Sequence, residues 1–291
     1  MEFGLNFNGD MDFELIKEHA KLAEKVNFDY LWIGDSPIFA HSFSVLCLVS
    51  ESTEKIKIGS GIISPVINRC LHIKQAFRTL KETYGERYAA GVASGDRNVL
   101  KKLSIEKTNQ SLKETIEKCA SEIRNDLKIK VFIGASGPKM IESASEKNYP
   151  MLLNYGNPDY LKWALKHRKK EVYCAAYAPS LIFGDKKLEK RLLIASAVVL
   201  AGSNKKFQEE FSLEQTAKEV KDMIENGQYE KLEKHKKQLL ERFSISGTAE
   251  DVKSRCEEIK KLGMNQVIFA TPLGMNKSAI TALGSIINDL S

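Results

Sequence analysis

Several features that would place this chain quickly are missing from its 291 residues. It has no run of about 18 apolar residues, so no membrane-spanning helix is expected. No basic start followed by an apolar stretch opens the sequence; no secretory leader is expected, and the reading is cytoplasmic. The five cysteines (Cys47, Cys70, Cys119, Cys174, Cys256) show neither C-x-x-C nor C-x-x-H spacing. They are expected to be buried free thiols in a reducing compartment. His19, His41, His72, His167 and His235 are scattered, which argues against a histidine metal centre. No basic patch is interleaved with aromatics, so nucleic acid is not an expected partner. The first turn, Asn8-Gly9-Asp10, lacks the G-x-G-x-x-G pattern of a dinucleotide fold.

Apolar content of 43% and charged content of 28% are those of an ordinary globular protein. The net charge of +6 is spread, with Lys and Glu alternating along helices as on solvated, ion-paired faces. Strand-like and helix-like segments alternate through the chain. Strands are expected at 2–7, 29–34, 56–58, 88–93, 130–134, 149–154, 171–177 and 265–270. Residues 96–127 read as helix with a polar break near Asn109. Residues 178–242 contain no evident strand and too much helix for one crossover. Thr248 and Asp251 form a capping box that opens another helix. Eight strands alternating with helices, at about 30 residues per unit, is the pattern of a (β/α)8 TIM barrel. The fold class is therefore α/β: one barrel domain over 1–291, with a helical insertion after strand 7 at about 178–245.

The stretch from Lys55 to Asp96 organises the chain. Ile56–Ile58 is a β-branched strand, and Ser60-Gly61-Ile62-Ile63-Ser64-Pro65 interrupts it with two hydrophobes stranded in a Gly/Pro loop. A helix follows from Arg69, with Leu71, Ala76, Phe77 and Leu80 on one face, and Gly85 ends it. The next strand leads into Ser94-Gly95-Asp96. In such a β-α-β unit a ligand sits beyond the carboxyl ends of the strands. Gly134-Ala135-Ser136-Gly137-Pro138 occupies the same end after the fifth strand. Read alone it is a turn; between a strand and a helix it could cradle a phosphate on free backbone amides.

The order I-K-I-G-x-G-[IV], Ser-Pro, Arg, helix, then G-x-x-S-G-D resembles the luciferase-like flavin and deazaflavin superfamily. Within it the likeness is nearest to methylene-tetrahydromethanopterin reductases, which use coenzyme F420. The resemblance implies a (β/α)8 barrel and an oxidoreductase that moves hydride to or from a one-carbon, pterin-type substrate in archaeal-like one-carbon metabolism. It implies a cis peptide at Gly61–Ile62 that backs the coenzyme ring, phosphate contacts at Gly134, Ala135, Ser136 and Gly137, and polar contacts from Asp35, Ser36, Ser94, Gly95 and Asp96. Asp96 also reads as a plain helix N-cap. The catalytic candidates are Asn6 and Asp35. Two departures fall there: Asn6 stands where the reductases carry a glutamate, and Ser36 follows Asp35 where the family has histidine. An amide cannot act as general acid or base near neutral pH. The segment between strands four and five is short, in a region that supports subunit packing in relatives, so a homodimer is compatible with the chain but not implied. The rivals are an FMN-dependent monooxygenase, a catalytically altered paralogue that binds a pterin or a protein, and flavin-independent one-carbon chemistry with no coenzyme.

Overall fold

The computed structural model describes residues 1–105 and 108–290. Eight parallel strands close into a barrel: β1 (Glu2–Phe7), β2 (Tyr30–Ile33), β3 (Lys57–Ile63), β4 (Tyr88–Val92), β5 (Lys130–Ala135), β6 (Met151–Leu153), β7 (Cys174–Ile182) and, after an accessory strand β8 (Ile245–Gly247), β9 (Gln266–Ala270). Neighbours run in order from β1 to β7, and β9 pairs with both β7 and β1 to shut the ring. Helices α1 (Phe13–Lys25), α2 (Ser42–Ser52), α3 (Cys70–Tyr84), α4 (Arg97–Lys102), α5 (Asn109–Leu127), α6 (Pro138–Glu146) and α7 (Pro158–Lys166) form the first crossovers. After β7 come α8 (Lys186–Ala201), α9 (Lys205–Glu210), α10 (Glu214–Glu225), a short 3-10 turn and α11 (Lys236–Phe243). Helices α12 (Ala249–Lys261) and α13 (Lys277–Leu290) flank β9. Among the described residues no helix is long and apolar enough to cross a membrane, and no cluster of His, Cys, Asp and Glu could hold a metal.

Local signals in the sequence account for these limits. The Asp12 side chain accepts from the amides of Glu14 and Leu15 and starts α1. Gly85, at φ 91°, ends α3 in a conformation that side chains resist. Thr248 and Asp251 make the reciprocal capping box at α12. Alternate strand residues point inward, and Trp32 fills the middle of the barrel. Its ring stands edge-on to Phe132 at 5.1 Å and stacks on Tyr30 at 5.3 Å. Glycine at 4 and 59 is what lets it fit: a Cβ would come within 2.8 Å and 2.6 Å of the indole. A second, larger apolar layer lies between strands and helices, where Phe3, Phe7, Phe77 and Phe269 are fully buried.

Four expectations need correction. β3 does not stop at Ile58; it continues to Ile63, with its register on β4 slipping between Ser60 and Ile63. The broken hydrophobic pattern there reflects a bulge, not a loop. β7 begins only at Cys174 and runs on to Ile182. Pro179 suggests a strand end, but it marks a change of partner: β9 pairs as far as Pro179, and β8 takes over from Ser180. The insertion thus ends in a ninth strand that three residues of sequence did not reveal. Finally, Cys70 and Cys119 are joined as a disulfide between α3 and α5, and Cys47 is exposed; only Cys174 and Cys256 are buried free thiols. Helix packing brings Cys70 and Cys119 together across 49 positions of sequence, and no local spacing records that. The segment between β4 and β5 is helical among the described residues, as expected; the break near Asn109 falls between α4 and α5, with residues 106–107 outside the described residues.

Candidate functional site

The carboxyl ends of β1 to β5 gather the candidate residues into a laced mouth. On β3, the Gly61–Ile62 peptide is cis, as expected. Ser60 stitches the slipped register: its hydroxyl donates to the Gly91 carbonyl and accepts from the Gly91 amide, each at 3.0 Å. A Cβ on Gly91 would lie 2.2 Å from the Ser60 carbonyl oxygen, so only glycine lets β4 approach the bulge. Ile62 leans on β5, where a Cβ at Gly134 would lie 3.1 Å from Ile62 Cγ2 and 2.8 Å from the Ala93 Cβ. From the far wall of the barrel, the Tyr177 hydroxyl on β7 donates to the Gly61 carbonyl at 2.9 Å. Burial pushes the Tyr177 phenol up, so it stays protonated and donating.

The loops after β2, β3 and β4 are tied by one chain of hydrogen bonds. The Ser64 hydroxyl donates to the Ser94 carbonyl at 2.7 Å. The Asn68 amide donates to the Ser64 carbonyl at 2.8 Å, and its side chain donates to the Asp35 carboxylate at 3.0 Å. Ser36 turns the β2 loop by accepting the Phe39 amide on its carbonyl. Ser94 spends its own hydroxyl on the Gly95 carbonyl at 3.2 Å. Gly95, at φ 80°, packs beside Ser64. Asp96 is exposed, and its carbonyl accepts the Leu100 amide at the start of α4.

Asn6 lies inside the mouth at 2% exposure. Its side-chain amide donates to the carbonyls of Trp32 at 3.0 Å and Phe7 at 3.2 Å. Asn8 fills the space beside it: a Cβ on Gly34 would be 2.2 Å from Asn8 Oδ1.

The Gly134–Gly137 segment forms the end of β5 and the approach to α6. Ala135 is buried, the Ser136 carbonyl accepts the Tyr155 hydroxyl at 2.7 Å, and Gly137 is the extended N-cap with Pro138 behind it. No side chain caps α6; Pro138 has no amide hydrogen and the Met140 amide turns back onto the Gly137 carbonyl at 3.1 Å, so the Lys139 amide is the one in the first turn open to a ligand or water. Asn204, from the insertion, lies over the turn: its Nδ2 sits 2.5 Å from where a Gly137 Cβ would be, while its Oδ1 caps α9 on the Lys206 amide. Phe207, on α9, holds that edge of the insertion down by stacking on Tyr155 at 4.9 Å.

The structure therefore joins Asp35, Ser94 and Gly95 through Ser64 and Asn68, Gly61 to Tyr177, and Ile62 to Gly134. It places Ser136 and Gly137 under Tyr155 and Asn204. Tyr177, Asn68, Tyr155 and Asn204 were not evident from sequence. Each acts through a contact 19 or more positions away or on a segment with no motif; only Asn68, beside the Ser64-Pro65 turn, sits near a recognisable signal. A groove of about 880 Å³ lies at the opposite, amino end of the barrel, lined by Glu2, Asp29, Tyr173 and Lys260 among others. Its charges are matched locally: Glu2 pairs with Lys57 at 2.8 Å and accepts the Tyr173 hydroxyl, and Asp29 accepts the Phe3 amide. That end of a (β/α)8 barrel carries stability, whereas chemistry belongs at the carboxyl mouth.

Residues 2–121 match the family described as luciferase-like monooxygenase. The chain is 28% identical to the 5,10-methylenetetrahydromethanopterin reductase of Archaeoglobus fulgidus, over 95% of each protein. In fold it is similar to the coenzyme F420-dependent tetrahydromethanopterin reductase of Methanopyrus kandleri, with a TM-score of 0.85 at 23% identity over 100% of this chain and 99% of that one. It is also similar to an F420-dependent secondary alcohol dehydrogenase solved with an F420–acetone adduct, with a TM-score of 0.69 at 16% identity over 97% and 99%.

Proposed function

We propose that this chain, similar over residues 2–121 to luciferase-like proteins and along its length to methylenetetrahydromethanopterin reductases, is an oxidoreductase that binds coenzyme F420 at the carboxyl mouth. Its substrate is a one-carbon tetrahydromethanopterin-type or related pterin. The observation that carries the reading is the bulge at Gly61–Ile62, seated against Gly134 and held from across the barrel by Tyr177. Such a seat suits a flat ring, and the glycine approach to α6 suits an anion. The residues present therefore fit the coenzyme, which would supply the hydride chemistry when bound.

The chain's own groups position and shield. Ile62 backs the ring. Tyr177 and Ser60 keep the bulge from collapsing inward. The Lys139 amide at the start of α6, with the Asn204 side chain over Gly137, holds the phosphate. Asp35, oriented by Asn68, and the Ser94–Asp96 loop supply polar contacts around the mouth. Asn6 holds no titratable proton, so it orients a ligand and moves no proton.

That last feature favours a second reading, a paralogue that binds the pterin but has altered or lost the reduction. Titration with F420 and, separately, FMN, followed by absorption and fluorescence, tests the coenzyme. Steady-state reduction of methylene-tetrahydromethanopterin tests the reaction. F420 binding with turnover is the expected result. FMN binding in its place supports the monooxygenase reading; F420 binding without turnover supports the paralogue.

A further inference from the structure

The side chain at the centre of the mouth is fixed in an unusual sense. Both amide hydrogens of Asn6 are spent inward, on the carbonyls of Trp32 and Phe7. A flipped amide would set Oδ1 against those two oxygens, so the network admits one orientation only. Oδ1 is then the free end, and among the described residues no donor reaches it. Oδ1 is not one of the buried side-chain atoms left without a partner; it is open to the mouth, where a ligand or water can donate to it. Asn6 is 2% exposed and lies on the inward face of β1, beside the exit of β2.

We propose that Asn6 is a specificity-determining residue: a locked, neutral acceptor that reads an N–H on the ring of the bound ligand. The inference rests on the reading of the mouth as a deazaflavin and pterin site. Both rings carry lactam N–H groups, which are donors of the right kind. A glutamate or aspartate at position 6 would place its second oxygen against the Trp32 and Phe7 carbonyls. It would therefore be held protonated far above the usual carboxylate range.

Asn6→Asp tests this through the sign of a pH dependence. When protonated, the aspartic acid donates inward and presents an acceptor outward, as the amide does. When ionised, it accepts a ligand N–H more strongly, as charge-assisted hydrogen bonds do. The ratio of variant to wild-type affinity should therefore start near one at low pH and rise roughly three- to tenfold as pH passes through the variant's pKa. Taking the ratio cancels titration of the ligand. It also cancels that of the nearby ionisable groups on the surrounding elements: Asp35 beyond β2, Tyr177 on β7, and His19, whose Nδ1 lies 2.7 Å from the Gly274 carbonyl. F420 and tetrahydromethanopterin are titrated separately from pH 5.5 to 8.5, and infrared spectra of the ligand-free variant follow the carboxyl itself. Asn6→Ala, which lacks the acceptor, should bind the same ligand about tenfold more weakly.

A rising ratio with either ligand supports the proposal and identifies which ring Asn6 touches. A falling ratio overturns it, because the ligand would then present an acceptor. A flat ratio, or a carboxyl that titrates near the usual value, also overturns it. If wild type binds neither compound, the deazaflavin–pterin reading falls together with this inference. Binding without the rise removes this inference alone.

Discussion

Gly134→Ala should uncouple coenzyme affinity from ordinary stability. The added methyl would lie 2.8 Å from the Ala93 Cβ and 3.1 Å from Ile62 Cγ2. Carbon atoms are at ease near about 3.5–4.0 Å, so the first contact overlaps by roughly 1 Å. Ala93 has no side-chain torsion to swing, and the residue able to yield is Ile62. Overpacking of this kind costs about 1–3 kcal/mol; at about 2 kcal/mol a chain of 291 residues loses roughly 3 °C of melting temperature. Gly59→Ala is the matched control. Its methyl would lie 2.6 Å and 2.7 Å from the Trp32 ring, a clash at least as severe but against the indole, with no direct contact to Ile62. Urea unfolding should show comparable losses for the two variants. Titration with F420 should show a loss of fivefold or more for Gly134→Ala, worth about 1 kcal/mol, and much less for Gly59→Ala. Equal effects on affinity would mean that Ile62 is not the surface against which the coenzyme rests, and the argument from the bulge would fail.

Three further outcomes are expected. Cys70→Ser should lower stability by about 4 kcal/mol on the loop-closure account, because the bond closes a loop of 49 positions; thermal unfolding with and without reductant checks this, and reductant should leave the variant unchanged. At Glu24, burial raises the carboxyl but is outweighed by hydrogen bonds from the amides of Ile56, Lys55 and Glu54, so its pKa is lowered in the fold. A lowered carboxyl pKa gives stability above the unfolded-state value that is lost as pH falls, so wild type should weaken from about pH 5 toward 3 more than Glu24→Gln does in parallel urea titrations. Gly137→Asp should weaken F420 binding by setting a carboxylate against the phosphate, but Asn204 fills the space it would need; in the Asn204→Ala background that crowding is relieved, and a loss of affinity that persists there and softens with salt isolates the charge.

Periodicity and glycine carried most of the barrel. The strand positions, the capping box and the helix-ending Gly85 are local features, and local features are what a sequence displays. The same holds for Gly134 and Gly137, whose loop position follows from strand, turn and helix in order. What stayed hidden depends on the closed ring. Tyr177 meets Gly61 only because β7 stands across the barrel from β3, and nothing around Tyr177 in the sequence marks it. Asn204 reaches Gly137 from a segment whose helices are legible but whose docking is not. Asn6 was visible as a departure from the reductases, but not which way its amide faces; the carbonyls of Trp32 and Phe7 take both its hydrogens and leave an acceptor. The cysteine pairing was misread for the same reason, since two helices must pack before 70 and 119 meet.

The hand-over of β7 at Pro179, from β9 to β8, sets a rule for how this protein can vary. Because β7 and β8 run parallel, no tight turn can join them; a parallel pair needs a crossover of about a dozen residues or more. The segment between Ile182 and Ile245 is therefore a single oversized crossover with both ends pinned side by side on the rim. Above that minimum, adding length costs little, since closure entropy grows only with the logarithm of loop size. Relatives can trade helices in and out of this arch without disturbing a strand of the ring. What such trades alter is the roof over the start of α6, where Asn204 now sits, so the tail of a ligand can be re-tailored while the floor beneath its ring stays the same.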